Sequence, residues 1–170
     1  FHVWGEEAIE LETGPKVDPE LWPPRFSKIE IVMEDGTRLA MTNARRLGRI
    51  RLLQDPLNEG PIAKLGFDPL LAMPSQKVFE TLVQARKTTL KGLLLNQAFA
   101  AGVGNWIADE VLYQAGLAPT RRANGLTSDE VKSLRKALGA VIRKAVAVDA
   151  NKKRFPKEWP TGRFGRSQDL

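Results

Sequence analysis

The apolar residues of this chain change period once, and that change bounds the fold. Between Lys28 and Leu53 they alternate with polar residues, and from Val78 onward they recur every three or four positions. Period two points one face of a strand at a core, and a period near 3.6 points one stripe of a helix there. Strands followed by helices make an α+β chain.

The strand part is short. Lys28-Ile-Glu-Ile-Val-Met33 and Arg38-Leu-Ala-Met-Thr42 read as the arms of a hairpin, turned at Glu34-Asp-Gly-Thr37. Asp35-Gly36 between such arms is a strong hairpin signal. Gly48-Arg-Ile-Arg-Leu-Leu53 reads as a third strand with Ile50 and Leu52 facing a core. His2-Val-Trp4 reads as the end of a strand. A long loop then runs through Gly14-Pro15 to Trp22-Pro-Pro24, with Trp22 as a packing anchor. Three antiparallel strands with one apolar face need a further layer, so they belong to a sheet or sandwich. Gln54 to Pro74 is a connector rich in Pro and Gly, and the domain boundary is placed near residue 66.

The helical part opens at Ser75. Val78, Leu82 and Ala85 share one face of a helix ending near Arg86-Lys87, and the β-branched pair Thr88-Thr89 breaks it. A short apolar helix follows from Leu90, then a tight turn through Gly102 and Gly104, then a helix with Asn105 as N-cap and Gly116 as its stop. After a loop to Leu126, Thr127-Ser-Asp-Glu130 is a capping box. It opens a helix to about Val148 whose core stripe is Val131, Leu134, Leu138, Val141 and Ala145. Lys132, Arg135, Lys136, Arg143 and Lys144 lie off that stripe. Residues 151–170 read as a basic, aromatic tail without periodicity.

Composition narrows the chemistry. The 170 residues contain no cysteine and one histidine, which excludes disulfides and thiolate zinc sites. No apolar run is long enough to span a bilayer. Charge is uneven: residues 1–120 carry 13 basic against 15 acidic side chains, and residues 121–170 carry 13 against 5. That split suits a polyanionic partner, or else a basic solubilising tail.

Two stretches could meet such a partner. Gly102-Val-Gly-Asn105 presents a helix N-terminus, with its free N–H donors and positive dipole end, behind a loop bare of side chains; that suits an anion, usually phosphate. It is equally the turn of an ordinary helix pair in a core. Asn43-Ala-Arg-Arg-Leu-Gly48 is a basic loop with an apolar tip. It is either a solvated turn with its Leu folded inward or a DNA wedge, in which arginine enters the duplex and an apolar side chain splits a base step.

Taken together, Leu90-Lys-Gly-Leu-Leu-Leu-Asn-Gln97, Gly102-Val-Gly-Asn-Trp-Ile-Ala-Asp-Glu-Val-Leu-Tyr113, the Pro119 loop, the capped helix and Ala44-Arg-Arg-Leu-Gly48 resemble the formamidopyrimidine-DNA glycosylase and endonuclease VIII family, with the fungal and plant branch closest. The resemblance spans roughly residues 22–160 and implies a base-excision repair enzyme in the nucleus. It implies a partial antiparallel β-sandwich over 1–66, a helix–two-turn–helix DNA-binding domain over 67–150, and a tail over 151–170 without the family's finger hairpin. The implied partner is double-stranded DNA holding oxidised bases or abasic sites, met by a monomer, with no cofactor, metal or membrane.

By position, Asn105 with the backbone of Gly102, Val103 and Gly104 would hold a phosphate of the damaged strand, and Lys91 would lie near the lesion or its flanking phosphates. Arg45 would fill the space of an extruded nucleotide, Arg46 beside it would contact DNA, Leu47 would be the wedge where the family more often has Phe, and Glu110 would brace the motif. The family's nucleophile is an N-terminal proline amine that forms a Schiff base with the sugar. The chain begins Phe1-His2, so no catalytic residue is assigned and the sequence is expected to be incomplete at both ends. A noncatalytic DNA-binding module is the alternative. An RNA-binding protein is a third reading, opposed by the strands and by Arg45-Arg46-Leu47.

Overall fold

A computed structural model describes residues 2–4 and 21–160. The chain divides into two compact units, residues 1–54 and 55–170. The fold class is α+β, with the strands in the first unit and the helices in the second.

The first unit is a three-stranded antiparallel sheet. Its strands are β1 (His2–Trp4), β2 (Ser27–Val32) and β3 (Arg38–Thr42), in the order β1-β3-β2. The hairpin forms where the alternation placed it, although its loop is longer than a two-residue turn. Gly36 N–H donates to Met33 O, Met33 N–H donates to Thr37 O, and Gly36 sits at φ +84°. This is a three-residue loop closed by a left-handed glycine, which has no Cβ to oppose that φ. The Asp35 carboxylate accepts from Thr37 N–H at 2.8 Å, which holds its pKa below the ordinary value.

Residues opposite one another share a face of the sheet. Ile29 with Met41 and Ile31 with Leu39 therefore make one apolar face, on which Ile29 and Ile31 are 37% and 44% exposed. On the other face Ala40 is fully buried opposite Glu30. The Glu30 carboxylate accepts from Trp22 Nε1 and from Arg38 Nε, and the Arg38 guanidinium lies 5.4 Å from the Trp22 ring centroid. The expected third strand over 48–53 does not form, and Leu52 is fully exposed. The segment joins no strand among the described residues, and its alternation finds no covering layer, since Ile50 and Leu52 are both exposed.

The second unit holds four helices: α1 (Gln76–Gln84), α2 (Leu90–Leu95), α3 (Asn105–Ala115) and α4 (Ser128–Ala147). Ser75 and Thr89 cap α1 and α2 through their hydroxyls, so Thr89 starts a helix as well as interrupting one. Gly116, at φ +67°, ends α3. The Thr127–Glu130 capping box is fully formed, and the whole predicted stripe of α4 is buried. On α1 the buried residues are Phe79 and Val83, and Val78 is half-exposed. The two stripes are adjacent on the helix, and the one carrying the larger aromatic surface is the one that is buried.

Phe67, Phe79 and Phe99 pack edge-on or tilted, with centroids 5.3 to 5.9 Å apart, beside Leu90, Leu93, Leu94, Leu112, Leu134 and Leu138. Each such burial is worth about 1.5–3 kcal/mol relative to exposure.

The connector from Asp55 falls in the same compact unit as the helices. Gly66 N–H donates to Gln97 O and Ala101 N–H donates to Phe67 O. A Cβ at residue 66 would stand 2.3 Å from the Phe99 carbonyl oxygen, so only glycine fits.

The start of α2 is stitched to the loop before α4. Leu90 N–H donates to Arg121 O, Lys91 N–H to Pro119 O, and Ala123 N–H to Thr88 O. The tail reading also changes. Lys152–Arg154 form a 3-10 turn and Phe155 is buried. Residues from 161 on, with the expectation of a missing finger hairpin, lie outside the described residues.

Candidate nucleic-acid interface

The turn between α2 and α3 is built by the Gln97 side chain. Its Oε1 accepts from Gly102 N–H at 2.9 Å, and its Nε2 donates to Val103 O at 3.0 Å and Leu95 O at 3.2 Å. One amide thus satisfies a donor and two acceptors that the turn would otherwise leave open. Gly102 takes φ +81°, which the turn requires of it. The Val103 side chain is in the core at 1% exposure, so only its backbone faces the turn.

The turn delivers the chain to α3 in an unusual state. Asn105 is the first helical residue and Gly104 is the N-cap, with no side-chain capping bond and no acidic residue in the first turn. The expectation that Asn105 caps the helix is therefore corrected. Asn105 already has helical dihedrals, whereas a capping residue needs extended ones. Gly104 is extended at φ −103°, a conformation open to any residue, and a Cβ there would meet nothing within 4 Å. Neither its dihedral nor its neighbours demand glycine at 104. The result is a bare surface over the uncapped, positive end of a helix, with Gly102, Gly104 and Asn105 exposed.

Lys91 reaches the same place from α2. Its ammonium donates to the Asp109 carboxylate and to the Asn105 carbonyl at 3.5 Å. Asp109 lies one turn beyond Asn105 and hence on the same face of α3. Glu110 points the other way, is 1% exposed, and accepts from Gln114 Nε2 at 2.9 Å. Lys91, Gly102, Gly104 and Asn105 are thus brought together. Gln97 and Asp109 join them without having been assigned a role. The signal for Asp109 was its spacing of four from Asn105, and for Gln97 its amide beside a tight turn.

Arg45, Arg46 and Leu47 lie in the first unit. Arg46 N–H donates to Asn43 O, and Arg46 takes φ +54°, which is uncommon for a residue with a Cβ. A Cβ at Gly48 would stand 2.5 Å from Asn43 Nδ2 and 2.9 Å from Met41 Cε. Leu47 is 73% exposed, so the inward-folded reading of the loop does not hold. Beside the loop is an open depression of about 390 Å³ lined by Lys28, Met41, Asn43, Arg46, Gly48 and Ile50.

A glycine turn thus opens an uncapped helix, bracketed by the short helix that carries Lys91 and by the capped helix α4. The family model of the formamidopyrimidine-DNA glycosylase H2TH domain matches residues 65–157. The chain is 42% identical over 159 residues to the formamidopyrimidine-DNA glycosylase of Arabidopsis thaliana, covering 94% of this chain and 41% of that protein. It is similar to the MutM (Fpg) protein of Thermus thermophilus, with TM-score 0.64 and 36% identity over 74% of this chain and 47% of that one. It is also similar to a MutM in complex with carbocyclic 8-oxo-G containing DNA, with TM-score 0.65 and 25% identity over 75% and 49% of the two chains. This chain belongs to the formamidopyrimidine-DNA glycosylase family. It spans less than half the length of these relatives.

Proposed function

We propose that the chain binds damaged double-stranded DNA in base-excision repair, gripping one backbone phosphate at the start of α3. The observation that carries this is Gly104, a glycine unneeded by its own fold that leaves the uncapped α3 donors bare. The backbone N–H groups of the first turn would take the phosphate oxygens, the Asn105 amide would add a donor, and Lys91 would supply a full positive charge. Arg45 would fill the gap left by a flipped nucleotide, Arg46 beside it would contact DNA, and Leu47 would wedge the adjacent step, since a base must leave the stack before it is excised. Glu110, through Gln114, would brace α3 behind the grip. In a longer polypeptide the activity would be that of a bifunctional glycosylase and AP lyase on oxidised purines.

The test is equilibrium binding to a duplex with one abasic site. Asn105→Ala should weaken binding by about tenfold or more, the worth of a hydrogen bond to a charged group. The loss should be equal for every flanking sequence, because phosphate contacts position without reading bases. Loss of lesion preference alone would overturn the phosphate role. With about six phosphate contacts the log–log salt slope is about −5.

A further inference from the structure

The segment after α4 turns back onto the start of α3. Trp106, which immediately follows Asn105, packs edge-on against Phe155 with centroids 5.5 Å apart, and Phe155 stacks on Trp159 at 5.7 Å. Phe155 is 4% exposed and packs with Ala145 and Val148 at the end of α4, while Trp159 also touches the main core. The chain reaches this position through Asp149 and Ala150, at φ +52° and +54°. Two successive left-handed residues with side chains persist only where the surroundings over-determine them. Here Ala150 N–H donates to Ala145 O at 2.8 Å, and the Phe155 anchor lies five residues on.

An uncapped helix start frays unless something else holds it, and a capping side chain would occupy the donors a ligand needs. A ring gripped from outside meets both requirements. We infer that Asn151–Trp159 is a positioning strap for the phosphate-gripping turn: by holding Trp106 through Phe155 and Trp159, it fixes the direction of the Gly104 and Asn105 N–H groups while leaving them free for DNA phosphate. The inference rests on the phosphate reading of that turn. It also gives the C-terminal excess of positive charge a place, since a segment that includes the exposed Lys153, Arg154 and Lys157 is anchored at the same end of α3.

The test uses the full chain with Phe155→Ala and the milder Phe155→Leu, which keeps a large apolar side chain. Amide hydrogen exchange at Ala108, whose N–H donates to Gly104 O at 2.9 Å and closes the first turn of α3, should accelerate by about tenfold or more in Phe155→Ala, while Val131 to Leu138 of α4 stay within about twofold. Affinity for the abasic-site duplex should fall by about tenfold, and Phe155→Leu should restore most of both effects. On an Asn105→Ala background, Phe155→Ala should weaken binding by less than it does in the parent, because the two changes act on one grip although the backbone N–H groups remain. Unchanged exchange at Ala108, equal acceleration throughout α4, or additive losses in the double variant would each overturn the strap. If Phe155→Ala does not fold, Trp159→Leu carries the same comparison. If the parent chain binds no DNA, the phosphate reading falls, and exchange at Ala108 still decides whether the strap orders the turn.

Discussion

Lys91 on α2 bonds to the carboxylate of Asp109 on α3, so one ammonium ties two helices together at the mouth of the glycine turn. The same ammonium is 3.5 Å from the carbonyl of Asn105. A phosphate arriving at this turn meets a lysine already partnered. Asp109 is 60% exposed, so the pair is screened by water and worth about 0.2–1 kcal/mol.

Asp109→Asn should therefore tighten DNA binding by up to about fivefold at low salt, the upper end of what such a pair represents. The gain should vanish on a Lys91→Met background. Titrations of the two single variants and the double variant check both points, and a Lys91-independent gain would mean simple charge repulsion instead.

Gly104→Ser separates stability from binding. Residue 104 is extended, sits at the N-cap and has open space for a side chain, so a serine hydroxyl can take a first-turn N–H. The variant should be more stable by a few tenths of a kcal/mol, the usual difference between serine and glycine at that position. It should bind DNA more weakly, because the hydroxyl occupies a donor and covers the bare surface. Thermal unfolding and DNA titration on the same preparation give both numbers.

The capping box gives an acid dependence. Thr127 N–H donates to the Glu130 carboxylate at 2.8 Å and Arg121 pairs with it. The Thr127 bond chiefly, with help from Arg121, holds the Glu130 pKa below its ordinary value of 4.5. A carboxyl whose pKa is depressed on folding stabilises fully above its unfolded pKa and ceases to do so as pH falls through the folded one. Glu130→Gln should thus melt below the parent at pH 7, and the gap should close as pH is lowered through and below 4.5. A gap that stays constant on acidification would remove the ionised carboxylate from the account.

Gly66→Ala should cost about 1–3 kcal/mol, the usual range for forcing extra volume into packed structure. The added methyl would stand 2.3 Å from a backbone oxygen, and backbone cannot rotate away as a side-chain tip can. Chemical denaturation measures it; a loss below about half a kcal/mol would show that the connector shifts freely.

Local signals in the sequence were faithful. The hairpin at Asp35-Gly36, the Thr127–Glu130 box, the Gly116 stop and the α4 stripe all reflect interactions within a few residues, and all formed. What was not legible depended on partners far along the chain. Gly48 to Leu53 has a strand's alternation, but among the described residues no strand pairs with it and no layer covers its apolar side. Residues 151–160 lack periodicity because Phe155 and Trp159 are anchors on a non-repeating backbone, and their partner Trp106 lies some fifty positions earlier. At the turn, sequence located the anion grip but assigned the cap to Asn105, since asparagine favours that position; the bare glycine before it became visible only once the dihedrals were known.

The backbone bonds from Thr88, Leu90 and Lys91 to residues 119–123 bring two strips of chain together across the whole of α2, the turn and α3. They enclose the grip in a closed ring of chain, which opens only when all of it opens. Proteolytic nicking or inserted residues between 117 and 126 would therefore undo Lys91 and Asn105 at a distance, while the Glu34–Gly36 loop tip of the other unit should accept a tag without loss.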